Sequence, residues 1–304
     1  MPMDNVLIIL NQLLKMVLYM AVGFCLCRAG IIAAKESRGL TQLLLYVILP
    51  CVILRSYLSI SRDQMPAVFF SLAVGAAALL ISMLIARLCF RNHPMDHFGS
   101  AFSNAGFLGI PLIDGVLGES AVFYIAGMVA LLNVLQWTYG QRVLSGKKNV
   151  EGIKGLLKNP LLIAFAAGIL LYLSGLDVPE QLEECMGALA SCNASISMII
   201  LGISIGNSKL REIFTIPRAY GVSLVRLVVI PLVTMLCLCP IPEGYRTMKM
   251  AIMIAASAPI GSNVVIYAQK NGLNDDYGTK IVCLSTLLSL FTMPVMLLIS
   301  EVLW

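Results

Sequence analysis

Apolar residues occur in long runs along almost the whole chain, and short polar segments separate the runs. Each run is about 20 residues long, the length that an α-helix needs to cross the hydrocarbon core of a bilayer. Ten such runs fit the sequence, so the pattern predicts an all-α, polytopic membrane protein with a single membrane domain over residues 1–304. The predicted spans cover residues 6–27, 39–59, 66–90, 97–117, 120–143, 159–176, 185–206, 216–238, 248–269 and 280–302.

Proline and glycine interrupt the fourth and the ninth of these spans. Span 4 contains Gly109 and Pro111, and span 9 contains Pro259 and Gly261. Because proline removes a backbone donor and clashes with the preceding turn, we expect both helices to break at these residues. Pro111 suits the first turn of the half-helix after one break, and Ser262 can cap the half-helix after the other.

The basic residues predict how the chain is oriented in the membrane. Fifteen of the 21 Lys and Arg residues lie at the loops after spans 1, 3, 5, 7 and 9, and four lie on the other side. Cytoplasmic loops retain positive charge, so both termini are predicted outside. The broken spans are five apart, which indicates two inverted five-helix repeats, residues 1–143 and 159–304, joined by a cytoplasmic linker over 144–158.

Two amide side chains, Asn104 and Asn263, accompany the breaks. A broken helix in lipid leaves backbone groups unpaired, and an amide can satisfy either those groups or a ligand. In inverted repeats the two breaks can meet near the bilayer centre, where half-helix N-termini favour an anionic group. We therefore interpret the two amides as parts of one substrate site, with two self-satisfied kinks as the alternative.

Three further polar residues lie within the predicted spans. Asn133 and Gln136 in span 5 suit either helix packing or the lining of a polar pocket. Arg226 in span 8 has no acidic residue in a span core to pair with, so it either bonds the carbonyls of a broken helix or helps to hold an anion. Without acidic residues in the span cores, coupling to Na⁺ or H⁺, anion exchange and uniport all stay open.

Composition excludes several classes of protein. Of the 304 residues, 59% are hydrophobic and 12% are charged, too few charges for a soluble globular domain. The net charge of +5 is not gathered into a basic patch, and the nine cysteines lack metal-ligand spacing. Asp4 and Lys15 argue against a cleaved signal peptide, so the first run is interpreted as a span. We predict no enzyme, no resident metal or other cofactor, and no nucleic-acid partner.

Two motifs resemble those of a known family. Residues 104–112, Asn-Ala-Gly-Phe-Leu-Gly-Ile-Pro-Leu, resemble the fourth-helix signature of the auxin efflux carrier family, and residues 258–263, Ala-Pro-Ile-Gly-Ser-Asn, look like its ninth-helix counterpart. The resemblance covers essentially the whole chain and implies a ten-helix fold shared with bile-acid sodium symporters. It further implies a scaffold of spans 1, 2, 6 and 7 that often dimerises, and a transport unit of spans 3–5 and 8–10 that moves as an elevator.

Members of this family move organic anions, so the resemblance implies a secondary transporter for a mono- or dicarboxylate such as malate or malonate. By motif position, Asn104 matches the substrate-contacting asparagine of the plant PIN-type carriers, and Asn133 matches a supporting polar residue. Residues 69–76 of span 3 lack the Asp and Lys of the plant carriers. A bacterial carboxylate carrier in the cytoplasmic membrane therefore fits better than an auxin carrier.

The predicted substrate site combines the broken spans with the polar residues beside them. The alternatives to an organic-anion transporter are a sodium-coupled carrier of a neutral or bulkier solute and a membrane receptor or sensor. The candidate substrate-binding residues are Asn104, Gly109, Pro111, Asn133, Gln136, Arg226, Pro259, Gly261, Ser262 and Asn263.

Overall fold

The structure is a computed structural model that describes residues 2–33, 36–60, 65–146, 159–176 and 178–304. In this part of the chain every regular element is helical, and the helices follow the order that the apolar runs predicted. They are α1 (Pro2–Arg28), α2 (Ser37–Leu58), α3 (Met65–Phe90), α4a (Pro94–Ala101), α4b (Ala105–Leu117), α5 (Glu119–Ser145), α6 (Pro160–Ser174), α7 (Glu180–Asn207), α8 (Pro217–Leu238), α9a (Arg246–Ser257), α9b (Asn263–Lys270) and α10 (Asp275–Leu303).

Seven of the described helices are long and apolar enough to cross a membrane, namely α1, α2, α3, α5, α7, α8 and α10. Helix α6 is apolar but has 15 residues, and α4 and α9 are each divided into two halves. This arrangement confirms an all-helical, multi-pass membrane protein. Residues 147–158 of the predicted cytoplasmic linker lie outside the described residues.

The break in α4 lies earlier than the sequence predicted. The helix ends at Ala101, the backbone of Phe102 is extended, and the second half begins at Ala105. Gly109 and Pro111 lie inside α4b, so the predicted break at these two residues was wrong. The proline follows a π-helical turn over residues 105–109, which shifts the hydrogen-bond ladder and accommodates the missing proline donor without ending the helix.

Helices α1 and α7 pack closely against each other. A Cβ atom on Gly202 would lie 2.0 Å from the carbonyl oxygen of Met20, and one on Gly206 would lie 2.9 Å from the Cβ atom of Cys27. Small residues four apart allow two membrane helices to approach this closely. These glycines therefore set the distance between the first and the seventh helix.

Two polar side chains fix α4a against its neighbours. Asp96 is buried and accepts hydrogen bonds from Arg218 at the start of α8 and from the hydroxyl of Tyr277 in α10, the latter at 2.6 Å. His97 is also buried, and its Nε2 lies 2.9 Å from the hydroxyl of Tyr139 in α5. These contacts position the first half of the broken helix, and with it the break.

Candidate functional site at the helix crossing

The broken helices cross at their breaks, where the two backbones are hydrogen-bonded to each other. The N–H of Asn104 donates to the carbonyl of Pro259 at 2.7 Å, and the N–H of Gly261 donates to the carbonyl of Phe102 at 3.1 Å. The two segments form an isolated antiparallel bridge. A Cβ atom on Gly261 would lie 3.2 Å from the carbonyl oxygen of Ser103, so glycine permits this approach. Backbone groups released by one break are thus satisfied by the other.

Arg226 binds the ends of both first half-helices. Its guanidinium is buried and donates to the carbonyls of Ser100 at 3.1 Å, Ala258 at 3.1 Å and Ala256, and to the hydroxyl of Ser82 at 2.9 Å. Helix C-termini carry partial negative charge, which a buried guanidinium complements. Of the two roles that the sequence left open, these contacts match the bonding of carbonyls.

A small cavity of about 40 Å³ lies beside the crossing. Its walls come from α2, α4, α5, α6 and α9, and they bring six of the ten predicted site residues together. The other four, Gly109, Pro111, Pro259 and Arg226, do not line it, because the first two lie further along α4b and the last two bond the backbone of the crossing. The six lining residues are Asn104, Asn133, Gln136, Gly261, Ser262 and Asn263.

The amides around the cavity differ in what they already bind. Nδ2 of Asn263 donates to Oε1 of Gln136 at 2.7 Å, and Nδ2 of Asn133 donates to the carbonyl of Val129, one turn back in α5, at 2.8 Å. Nδ2 of Asn104 is buried and has no hydrogen-bond partner among the described residues. Since an unpaired buried donor is costly, Asn104 is the side chain best prepared to bind a ligand.

Two half-helices begin at this cavity. Asn104 and Gly106 mark the start of α4b, and Ser262 and Asn263 mark the start of α9b; all four line the cavity. Ser262 occupies the N-cap position, but its side chain makes no capping hydrogen bond, so the predicted cap was wrong. The partial positive charge of helix N-termini makes such a place suitable for an anion.

A larger cavity of about 370 Å³, which we call the vestibule, adjoins the crossing cavity. The two share Leu45, Asn133, Leu161 and Asn263 as lining residues. The two cavities therefore lie on opposite sides of the same few side chains. Its remaining lining residues are Tyr46, Trp137, Asn159, Pro160, Ile266, Tyr267 and Lys270.

Lys270 is a charged lining residue that was not among the predicted site residues. The charge pattern placed it only among the basic residues at the predicted cytoplasmic loops. The signal was its spacing, because Asn263, Ile266, Tyr267 and Lys270 follow the i, i+3, i+4, i+7 pattern of one helix face. All four line the vestibule.

Comparison with known proteins gives the family. A family model described as "Membrane transport protein" matches residues 8–297. The chain belongs to the auxin efflux carrier family. This confirms the resemblance carried by the motifs at residues 104–112 and 258–263, and it identifies the chain as a membrane transport protein.

Relatives of this carrier have names of transporters rather than of enzymes. An uncharacterized transporter of Methanothermobacter thermautotrophicus is 24% identical and aligns with 93% of this chain and 96% of its own length. The uncharacterized transporter YfdV of Escherichia coli K12 is 21% identical over 96% and 98% of the two chains. A protein of Rhizobium meliloti named "Putative malonate transporter" is 22% identical over 84% and 85%.

Proposed function

We propose that this carrier is a secondary transporter that moves a small organic anion, a mono- or dicarboxylate such as malate or malonate, across the cytoplasmic membrane. The observation that carries the proposal is the unpaired Nδ2 of Asn104 in a cavity where two half-helices begin. A carboxylate accepts hydrogen bonds from amide donors and from the N–H groups of helix N-termini. Binding of a carboxylate would satisfy the buried donor that the fold leaves without a partner.

The charges around the site favour an anion over a cation. No acidic side chain occurs among the described residues that line the two cavities, whereas Lys270 lines the vestibule. Carbonyl groups that could attract a cation, at the ends of α4a and α9a, are bonded to Arg226. The name of the Rhizobium relative supports the same substrate class.

In our proposal the carrier works by alternating access of the elevator type, and the position of the vestibule indicates the side to which the site is open. The vestibule lies near Lys270 at the end of α9b and near Asn159 at the start of α6, both next to loops that the charge pattern predicts to be cytoplasmic. In our proposal the structure is therefore inward-facing. Helices α1, α2, α6 and α7 act as a dimerising scaffold, and α3–α5 and α8–α10 carry the site across the membrane.

Ligand-induced stabilisation of the purified protein tests the proposed substrate class. We expect malonate and malate to raise the melting temperature, because a ligand at 100 times its Kd adds about 2.7 kcal/mol to the stability of the bound state. Malonamide, which has the shape of malonate without its charge, is the matched control and should have no effect. An equal effect of malonamide, or no effect of any member of a panel of mono- and dicarboxylates, would contradict the proposal.

A further inference from the structure

Lys270 places a positive charge on the wall of the vestibule. It is the last residue of α9b, the half-helix that begins at the crossing with Asn263. Among the described residues that line the vestibule and the crossing cavity, Lys270 is the only one with a charged side chain. Its full charge adds to the partial positive charge of the half-helix N-termini at the crossing.

No carboxylate neutralises the Lys270 ammonium in the described part of the chain. The ammonium lies 5.4 Å from the ring centroid of Trp137 instead, a cation–π contact that positions it without cancelling its charge. Trp137 directly follows Gln136, whose side chain is hydrogen-bonded to Asn263. The contact thus holds the ammonium against the same wall of α5 that lines the crossing cavity.

The two ends of α9b, at Asn263 and at Lys270, are two separate places that suit an anion. Seven residues, about 10 Å of helix rise, separate the Cα atoms of Asn263 and Lys270. Side chains on a helix lean toward its N-terminus, which brings the ammonium nearer to the crossing than its own Cα atom. Nδ2 of Asn133 is bonded to the backbone of α5, and Oδ1 of Asn159 accepts from the first turn of α6. Lys270 is the one described lining residue of the vestibule that offers a full positive charge to a second carboxylate.

We propose that Lys270 binds the distal carboxylate of a dicarboxylate whose first carboxylate lies at Asn104 and the half-helix N-termini. This inference rests on the proposed function and narrows its substrate class from organic anions to dicarboxylates. Lys270 is then a residue that determines specificity: a monocarboxylate of the same length gains nothing from it, whereas a dicarboxylate gains a charge-assisted hydrogen bond.

Calorimetric binding of two matched anions to the purified full-length protein tests this role. Malate and 2-hydroxybutyrate differ in that a methyl group of the second replaces the distal carboxylate of the first. We expect the wild-type protein to bind malate at least tenfold more tightly. Lys270→Gln should remove that difference by weakening malate alone, and Lys270→Arg should keep most of it. Arg91→Gln, which removes an exposed charge outside both cavities, should change neither affinity.

The outcomes separate the two proposals. If wild-type protein binds both anions equally, or if Lys270→Gln leaves the malate affinity unchanged, Lys270 does not bind a second carboxylate, although the carrier still binds organic anions. Equal weakening of both anions by Lys270→Gln would also overturn the inference, since it indicates general attraction. If the wild-type protein binds no carboxylate at all, the proposed function itself fails.

Discussion

At the scale of single residues, the function of each amide depends on the partners that the fold supplies. The sequence predicted Asn104, Asn133 and Asn263 as site residues, and all three line the crossing cavity. It could not predict that Asn104 alone keeps an unpaired Nδ2, because the partners of Asn263 and Asn133 are set by packing and by helix geometry. The exposed Lys270 was missed for the same reason, since its role depends on which cavity its helix face borders.

Replacement of Asn104 by alanine tests the residue that carries the proposed function. We expect malate uptake into proteoliposomes to fall about 10- to 100-fold, because a hydrogen bond to a charged group is worth about 1.5–3 kcal/mol. Melting temperature should stay close to that of the wild type, since Nδ2 of Asn104 has no hydrogen-bond partner among the described residues.

Asn193→Ala is the matched control for this substitution. Asn193 is fully buried in α7, its two side-chain polar atoms have no partner in the described part of the chain, and it lines neither cavity. We expect its uptake to equal that of the wild type. Comparable uptake losses in both variants would mean that Asn104 acts through folding rather than through the substrate.

At the scale of helices, the sequence predicted the break in α9 at Pro259 and Gly261 correctly but placed the break in α4 too late in the chain. Pro111 was expected to end a helix, yet a π-helical turn accommodates it inside α4b. Similar π-helical turns precede Pro50 in α2 and Pro231 in α8. The break falls at residues 102–104 because those residues meet α9 and exchange backbone hydrogen bonds with it. A contact between segments about 155 residues apart leaves no signal in local proline and glycine spacing.

The contacts of Arg226 predict that transport does not require sodium. Transporters with broken helices coordinate Na⁺ through unwound carbonyls and the C-terminal ends of half-helices. Here the carbonyls of Ser100, Ala256 and Ala258 are bonded to a guanidinium that already supplies the positive charge. We expect equal initial rates of malate uptake into proteoliposomes in sodium chloride and in choline chloride. A tenfold loss in choline chloride would show that a sodium site exists elsewhere and would restore the sodium-coupled alternative.

At the scale of the whole molecule, the position of each helix along the chain could be predicted, but the pairs of helices that pack together could not. Membrane thickness imposes the length of each apolar run, so the order and approximate limits of the helices could be read from the sequence. Which helices touch depends on the shape of their surfaces. Gly202 and Gly206 allow α1 to pack closely against α7, and Gly168 of α6 faces the ring of Tyr57 in α2. Small residues occur in many helices, so their presence alone does not identify a partner.

The contact between α1 and α4b tests whether one part of the protein moves against the other. A Cβ atom on Gly115 of α4b would lie 2.7 Å from Cγ of Gln12 in α1, close enough that cysteines at both positions can form a disulfide. In the proposed elevator, α1 stays in the scaffold and α4b moves with the site. We therefore expect Gln12→Cys with Gly115→Cys, in a background without the nine native cysteines, to lose malate uptake on oxidation and regain it on reduction. The single variant Gln12→Cys should be insensitive to oxidation. Full uptake by quantitatively crosslinked protein would mean that α1 and α4b stay together through the transport cycle. Helix α1 would then belong to the moving part rather than to the scaffold.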